Sequence, residues 1–280
     1  MTELTTTEHD RNFFGEEALV YPVLSRRLNG LSIGVNTRPD IICNFGCLYC
    51  EVNRENVESE RNPGEGATLD VRRLQDHMHT IISKILAGEI FEGMEIKAIT
   101  LSGDGEPTML SNFEEVMHGI HDLKHQMRLE AASTVVITNA SQLHLPGVQR
   151  GLDTLRAEED AIWAKLDAGS EEYFRLVAKT KVALSRILAN ILETSKSKPM
   201  TIQTCLMNIQ GQAPSDEEIQ SLCNRINAII SGGGTIRGVQ LYTVSRKPAS
   251  SAISALDEER LRSIGQTIAK NIPVPVQIYS

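Results

Sequence analysis

Three of the chain's five cysteines lie within one short stretch, as Cys43, Cys47 and Cys50 in a Cys-x3-Cys-x2-Cys pattern. Thiolates this close in sequence can fold back on a single loop and hold a soft metal there. A closed structural zinc site takes four protein ligands, and so does an ordinary cubane iron–sulfur cluster. The three thiolates therefore predict a metal centre with one position left for another ligand.

A glycine-rich turn at residues 102–107, with the sequence SGDGEP, directly follows the apolar run 96–101. Gly103 and Gly105 permit positive φ angles and the close approach of a ligand to the backbone. Glu106 is a carboxylate at a strand end that could accept hydrogen bonds from an ammonium group. Because loops at the carboxyl ends of barrel strands meet at one face, we expect this turn and the cysteine loop to lie side by side.

Together, the cysteine spacing, the aromatic Tyr49 and the Gly-x-Gly-Glu-Pro turn at 103–107 resemble the radical S-adenosylmethionine (SAM) superfamily, over roughly residues 31–245. The resemblance implies a [4Fe–4S] cluster on the three cysteines, with its fourth iron chelated by the amino and carboxylate groups of SAM. One electron from the cluster would cleave SAM to methionine and a 5′-deoxyadenosyl radical, which abstracts hydrogen from a substrate. It also implies an electron donor such as flavodoxin or ferredoxin.

The resemblance assigns roles to individual side chains. The aromatic beside the last cysteine would contribute to adenine contact, the glycine-rich turn would bind the methionyl ammonium, and polar residues at later strand ends would reach the ribose and carboxylate. The residues expected to contact SAM are Tyr49, Gly103, Asp104, Gly105, Glu106, Asn139, Ser141, Lys165 and Asp167. Asn139 and Asp167 could equally be turn and helix-cap residues. Gln203 and Arg246 could face the same end of the barrel.

Four stretches narrow the resemblance to the iron–sulfur oxidoreductases related to wyosine-base synthesis in tRNA. They are SGDGEPT at 102–108, TN at 138–139, KLDA at 165–168 and VSRKPA at 244–249. Wyosine synthases carry further N-terminal cysteines for a second cluster, whereas this chain has no cysteine before Cys43. The branch suggests a tRNA base as substrate, and a peptide or a small metabolite is the alternative.

The alternative to an enzyme is a non-catalytic protein that senses redox state or binds a partner. It could hold an iron–sulfur cluster, or zinc bound by three thiolates and a distant histidine. The turn at 103–107 favours the enzyme, because a sensor has no need of a methionine pocket beside its metal. Cys205 and Cys223 fall on apolar stripes, so we expect both to be buried. The sequence contains no Walker-type phosphate loop.

Strand and helix patterns alternate about six times, which predicts an α/β fold with mostly parallel strands, a partial (β/α)6 barrel of the TIM type. The predicted strands cover residues 31–35, 96–101, 134–138, 161–167, 200–207, 237–244 and 274–279. The predicted helices cover residues 68 or 70 to 88, 112–128, 146–159, 171–193, 216–230 and 257–270.

The chain reads as an acidic tail at 1–18 followed by a single domain at 19–280, with the core at about 31–245 and a C-terminal helix and strand at 250–280. Its formal net charge of −8 argues against binding nucleic acid through a broad electrostatic field. No apolar run approaches the roughly 20 residues needed to span a bilayer. We expect no membrane association and a cytoplasmic location, where metal-bound thiolates are stable.

Overall fold

The structure is a computed structural model that describes residues 19–37, 43–52, 67–245 and 250–279. The strands within these ranges are β1 (Val20–Ser25), β2 (Gly30–Asn36), β3 (Ile96–Ser102), β4 (Ser133–Thr138), β5 (Ala161–Lys165), β6 (Met200–Ile209), β7 (Ile236–Thr243), β8 (Ile253–Ala255) and β9 (Val276–Tyr279). The helices are α1 (Val71–Leu86), α2 (Phe113–Gln126), α3 (Pro146–Leu152), α4 (Glu171–Ala178), α5 (Leu184–Ser195), α6 (Asp216–Ser231) and α7 (Glu258–Asn271). None of these helices is both long and apolar enough to traverse a bilayer.

The chain divides into two compact units. The first contains Met1–Ile42, Arg61–Ile137 and Leu145–Ala161, and the second contains Cys43–Glu60, Thr138–His144 and Ile162–Ser280. The single domain expected at 19–280 stays a prediction, and the expected acidic tail at 1–18 lies outside the described residues.

The sheet of the first unit begins with an antiparallel pair and continues in parallel. Val20 of β1 lies opposite Val35 of β2. Ile33 of β2 then pairs in parallel register with Ile99 of β3, which is followed by β4. Ile33, Val35 and Ile99 are completely buried. Their apolar side chains explain why β2 and β3 occupy the interior of this sheet rather than an exposed edge.

Helix α1 shows how the sequence sets the helix boundaries in this unit. The Asp70 carboxylate accepts a hydrogen bond from the backbone N–H of Arg73 at 3.0 Å, as an N-cap does. After the last turn, Gly88 takes the left-handed conformation with φ 71°, which ends the helix. The apolar residues at helical spacing form the buried face: Leu74, Met78, Ile81, Ile82 and Ile85.

The second unit has a parallel sheet in which β5, β6, β7 and β9 follow one another. β8 adds an antiparallel pairing to the end of β6. Ile202, Met207 and Leu241 fill the interior of this sheet and are completely buried. The observed elements therefore confirm an α/β fold with mostly parallel strands.

The close approach of α6 to the start of α4 depends on Gly169. A Cβ atom at this position would lie 2.0 Å from the backbone nitrogen of Leu222, so no larger residue fits. Glu218 of α6 accepts the Gly169 N–H at 2.5 Å. Arg225 of the same helix donates to the Gly169 carbonyl at 2.9 Å. The glycine thus allows α6 to bond to both backbone groups of the residue that precedes α4.

Two predicted helices are wrong in extent, and the strand β1 was not predicted. Pro22 lies within β1, and proline is compatible with an edge strand. The helix expected at 171–193 is two helices, because Lys179 takes a left-handed conformation with φ 43° and ends α4. The helix expected at 146–159 ends at Leu152, because the Asp160 carboxylate accepts the Arg156 N–H at 2.8 Å and folds the following residues into turns.

Candidate functional site

The cysteine loop, residues 43–50, is fixed to the end of α4 by main-chain hydrogen bonds. Gly46 donates its N–H to the carbonyl of Ala178 at 3.0 Å, and Leu48 donates to the carbonyl of Val177 at 2.9 Å. Because main-chain groups make both bonds, these two bonds form whichever side chains the helix residues carry.

Two apolar side chains anchor the same loop in the second unit. The ring of Phe45 contacts Phe174 edge-on, with ring centroids 5.8 Å apart. Leu48 packs in an apolar cluster with Val177, Cys205 and other buried residues. With these anchors buried, the three cysteines of the loop remain partly exposed.

The three thiols of the loop influence one another electrostatically. The surrounding protein raises the pKa of the Cys47 thiol well above its ordinary value, and Cys43, Asp167 and Cys50 raise it further. Within the described residues, no group of three or more His, Cys, Asp or Glu side chains is arranged so that it could hold a metal ion. Metal binding by Cys43, Cys47 and Cys50 therefore stays a prediction.

The chemistry of these donors fits an iron–sulfur cluster. Thiolate is the ligand type that such clusters use, and three partly exposed sulfurs on one loop supply all but one of the usual four. The neighbours that raise the pKa of Cys47 are negative or become so, and a bound cation reverses their effect. Metal binding would thus release the proton that the metal-free Cys47 thiol retains.

A network of amides surrounds Cys43. The side chain of Asn139 donates to Asn44 Oδ1 at 2.9 Å and lies 3.9 Å from Cys43 Sγ, within hydrogen-bond range for sulfur. Asn44 in turn donates its side-chain N–H to Ser141 Oγ at 2.9 Å. The structure therefore brings the predicted residues Asn139 and Ser141 to the cysteine loop, where protein groups engage both.

The segment that carries Asn139 has an unusual backbone. Ala140 is completely buried and has φ 63°, a left-handed conformation that residues other than glycine seldom adopt. Asn190, a buried residue of α5, donates its side-chain N–H to the carbonyls of Ala140 and Ser141 at 2.8 and 3.0 Å. These bonds hold the strained turn in place.

Asp167 is the centre of a second network beside the loop. Its Oδ1 atom lies 2.9 Å from Lys165 Nζ and accepts the backbone N–H of Cys205 at 2.7 Å. Its Oδ2 atom accepts the hydroxyl of Tyr49 at 2.6 Å. Lys165 also donates to the hydroxyl of Tyr242 at 2.5 Å. The predicted residues Tyr49, Lys165 and Asp167 are therefore together, and they bond to one another.

The neighbours of Lys165 and Tyr49 determine whether each of these side chains is charged. Burial alone would lower the pKa of Lys165, but the Asp167 carboxylate and Tyr242 raise it above its ordinary value, so the ammonium stays charged. Burial, followed by Asp167, raises the pKa of Tyr49 well above the usual range. Its phenol therefore stays protonated and donates. Lys165 Nζ also lies 5.0 Å from the centre of the Tyr49 ring, a cation–π contact.

The glycine-rich turn belongs to the first unit. Gly103 has φ 116°, and a Cβ there would lie 2.6 Å from the side-chain oxygen of Asn36. That same Asn36 side chain donates to Asp104 Oδ2 at 2.7 Å and accepts the Asp104 N–H at 3.2 Å. Gly103 is thus required both by its conformation and by the close contact with Asn36.

The carboxylate of Glu106 is buried and serves as a helix cap. Its Oε1 atom accepts the backbone N–H of Thr108 at 3.1 Å and the Thr108 hydroxyl at 2.6 Å. These bonds begin the short 3-10 helix Pro107–Met109. The expected contact of Gly103, Asp104, Gly105 and Glu106 with a methionyl ammonium stays a prediction.

The remaining expectations for individual residues have mixed outcomes. Gln203 is buried and donates to Gln240 Oε1 at 2.8 Å within the sheet. Arg246 lies outside the described residues. Cys205 and Cys223 are buried, as expected from their apolar stripes.

Four residues of these networks were not predicted as site residues from the sequence: Asn36, Asn44, Asn190 and Tyr242. Asn44 is adjacent to Cys43, and Asn36 ends an apolar strand, so their positions could have indicated a place near the site. Asn190 falls on the buried face of α5 between Ile187 and Ile191, where a polar residue indicates a specific partner. Tyr242 lies on a later strand and carried no comparable signal.

No family profile matches the chain. Among curated proteins, it is 31% identical over 151 residues to a UPF0026 protein of Synechocystis, covering 52% of this chain and 49% of that protein. It is 27% identical over 173 residues to a UPF0026 protein of Methanocaldococcus jannaschii, covering 61% of this chain and 46% of that protein.

A longer similarity at lower identity, 22% over 261 residues, joins 92% of this chain to 34% of a protein of Brachyspira hyodysenteriae named GTPase Obg. The chain spans between about a third and a half of the length of these three relatives. The 280-residue sequence contains no copy of the phosphate-binding loop motif of GTPases.

Among solved structures, the chain resembles that of Streptococcus suis SuiB bound to S-adenosylmethionine. The TM-score is 0.56 at 13% sequence identity, and the match covers 86% of this chain and 45% of SuiB. At this identity the likeness concerns the fold. It confirms the expected fold class, an α/β fold of the partial TIM-barrel type with mostly parallel strands.

Proposed function

We propose that the chain is a radical SAM enzyme, with a [4Fe–4S] cluster on Cys43, Cys47 and Cys50 and SAM as the ligand that completes it. The observation that carries the proposal is the cysteine loop itself, which holds three partly exposed thiols together in one unit. The likeness of the fold to a SAM-bound protein supports the same conclusion.

When bound, the cluster would supply the electron that cleaves SAM to methionine and a 5′-deoxyadenosyl radical, which abstracts hydrogen from a substrate. The three cysteines would hold it, and the bonds of Gly46 and Leu48 to the end of α4 keep their loop in place. Phe45 and Leu48, residues of the same loop, are buried and anchor it.

Tyr49 and its partners would prepare one side of the SAM site. The bond from Tyr49 to Asp167 fixes the orientation of the ring that the resemblance assigns to adenine contact. Asp167 and Lys165 bond to each other, so we assign them to positioning Tyr49 rather than to direct contact with SAM. Ser141, Asn139 and the residues Gly103, Asp104, Gly105 and Glu106 stay candidates for SAM contact.

The substrate belongs to the same proposal. The resemblance to the wyosine-related branch suggests a tRNA base, and a peptide or a small metabolite is the alternative. An electron donor such as flavodoxin or ferredoxin would complete the reaction, in the cytoplasm. Comparison of modified tRNA nucleosides and metabolites between cells with and without this chain separates these substrates. Unchanged tRNA nucleosides would exclude the tRNA base.

Anaerobic reconstitution with iron and sulfide tests the enzymatic proposal. We expect about four irons and four sulfides per chain, and 5′-deoxyadenosine after reduction in the presence of SAM. Cys47→Ala should lose the cluster, whereas Cys223→Ala, a buried cysteine of α6, should keep it. A fully loaded protein that forms no 5′-deoxyadenosine would contradict the proposal. Zinc without sulfide would instead support the non-catalytic alternative.

A further inference from the structure

The orientation of the Asn139 amide is determined by its neighbours. Its Oδ1 atom accepts the backbone N–H of Ser141 at 3.0 Å, and only the oxygen of an amide can do so. The nitrogen must therefore be the atom that faces Asn44 and Cys43. The Asn44 amide is assigned in the same way, because its nitrogen donates to Ser141 Oγ and its oxygen receives Asn139.

Two acceptors lie within reach of the N–H groups of Asn139. One is Asn44 Oδ1 at 2.9 Å, and the other is the sulfur of Cys43 at 3.9 Å. The same sulfur lies 3.5 Å from the backbone nitrogen of Phe45, which also donates to it. A neutral thiol is a weak acceptor, but a thiolate bound to iron carries more negative charge and accepts more strongly.

The Asn139 side chain is held rigidly enough to act on the sulfur. It is 8% exposed, and the turn that carries it passes through the strained, buried Ala140. Asn190 bonds to the two carbonyls of this turn, and the Thr138 hydroxyl accepts the Ala140 N–H at 3.0 Å. Strain maintained by several bonds is a common feature of residues that position a functional group.

From this geometry we infer that Asn139 is a positioning residue that donates an N–H to the Cys43 sulfur and raises the reduction potential of the cluster. The inference rests on the proposed function, since it concerns a cluster on the same cysteines. Hydrogen bonds to ligand sulfurs stabilise the more negative, reduced state of an iron–sulfur centre. Asn139 would therefore make the first electron easier to accept.

Redox titration of the reconstituted protein without SAM tests this inference. In Asn139→Asp, the Oδ1 acceptor for Ser141 remains, but a negative oxygen replaces the donor. We expect the ratio of reduced to oxidised cluster at a fixed potential to fall about tenfold, equivalent to a potential about 59 mV lower for one electron. Asn139→Ala removes the donor without adding charge and should shift the potential in the same direction by less.

Asn227→Asp is the matched control. Asn227 lies on α6 and bonds to the Asn271 carbonyl. The substitution adds the same charge as Asn139→Asp, but away from Asn44 and Cys43. Its potential should equal that of the wild type, which would exclude a general effect of added charge. Loss of iron from both Asn139 variants, but not from Asn227→Asp, would also support the positioning role.

An unchanged potential in fully loaded Asn139→Ala would overturn the inference and leave the enzymatic proposal intact. Failure of the wild type to take up iron and sulfide would overturn both together. The iron and sulfide content of each sample, measured before titration, distinguishes the two failures.

Discussion

The Lys165 ammonium nitrogen lies 2.9 Å from Oδ1 of Asp167, and their side chains are only 12% and 11% exposed. The pair links β5, which Lys165 ends, to β6 and the cysteine loop. Asp167 accepts the N–H of Cys205 on β6 and the hydroxyl of Tyr49 in the loop. A single carboxylate thus connects the sheet of the second unit to the loop that carries the predicted metal ligands.

Removal of the Asp167 charge should destabilise the protein strongly. Asp167→Asn would leave the buried Lys165 ammonium without its counter-charge, and we expect a loss of about 3 kcal/mol in the free energy of unfolding. Urea denaturation measures this change. Glu193→Gln is the control, because its exposed ion pair with Lys196 contributes less than about 0.5 kcal/mol. Equal effects of the two substitutions would contradict the role given to Asp167.

The Tyr49 hydroxyl should stabilise the cysteine loop. Tyr49→Phe keeps the ring but leaves Asp167 Oδ2 without this donor, so we expect a loss of about 2 kcal/mol. Hydrogen exchange of the Leu48 amide, which bonds to Val177, should become faster. Tyr279→Phe, whose hydroxyl bonds to an exposed Gln277, should change stability by less than about 0.5 kcal/mol. Exchange at Leu48 that stays as slow as in the wild type would show that the loop does not depend on this bond.

Gly169→Ala should destabilise the packing of α6 against the start of α4. The new Cβ would lie 2.0 Å from the Leu222 nitrogen, so the backbone of one helix must move, at a cost of about 2 kcal/mol or more. The matched substitution is Gly147→Ala in α3, where the nearest atom is a flexible Arg150 terminus at 3.8 Å. Alanine there should stabilise by up to about 1 kcal/mol. Thermal melting of both variants provides the comparison.

Asp160 should make the stability of the first unit depend on acid pH. Burial alone would raise its pKa, but hydrogen bonds from Arg156 and from the Thr134 N–H, together with Lys124, lower it. A carboxyl whose pKa is lower when folded stabilises the protein above its unfolded pKa of about 4, and this contribution is lost as the pH falls through the folded pKa.

The test compares wild type with Asp160→Asn in urea across this pH range. The variant should be less stable at pH 7, and the difference between the two proteins should shrink below about pH 4. A difference that stays constant with pH would show that the Asp160 charge has no part in stability.

The sequence predicted best those features that neighbouring residues determine. The cysteine spacing and the turn at 103–107 are local patterns, and the alternation of apolar strands and helices predicted the α/β fold. The features that were missed have weaker local signals. Lys179 takes a left-handed conformation although it is not glycine, and the edge strand β1 contains Pro22, which is uncommon in strands.

The partners of the cysteine loop could not be predicted from local patterns. Asn139 reaches Asn44 across 95 residues, and no spacing rule connects them. Lys165 and Asp167 were predicted as SAM contacts from the family resemblance, which stays a prediction, and the structure also pairs them with each other. Their separation by two residues places both side chains on one side of the chain, so an ion pair was a possible interpretation of the same pattern.

The attachment of the cysteine loop also dictates an order of events during synthesis. Asn44 and its partner Thr180, whose hydroxyl bonds to the Asn44 carbonyl, are 136 residues apart. At ribosomal rates, roughly 7 to 27 s separate the appearance of the cysteines from that of the segment that fixes them. During that interval the Thr180 docking bond cannot form, so a metal centre that needs the docked loop would be completed only after most of the chain has been made.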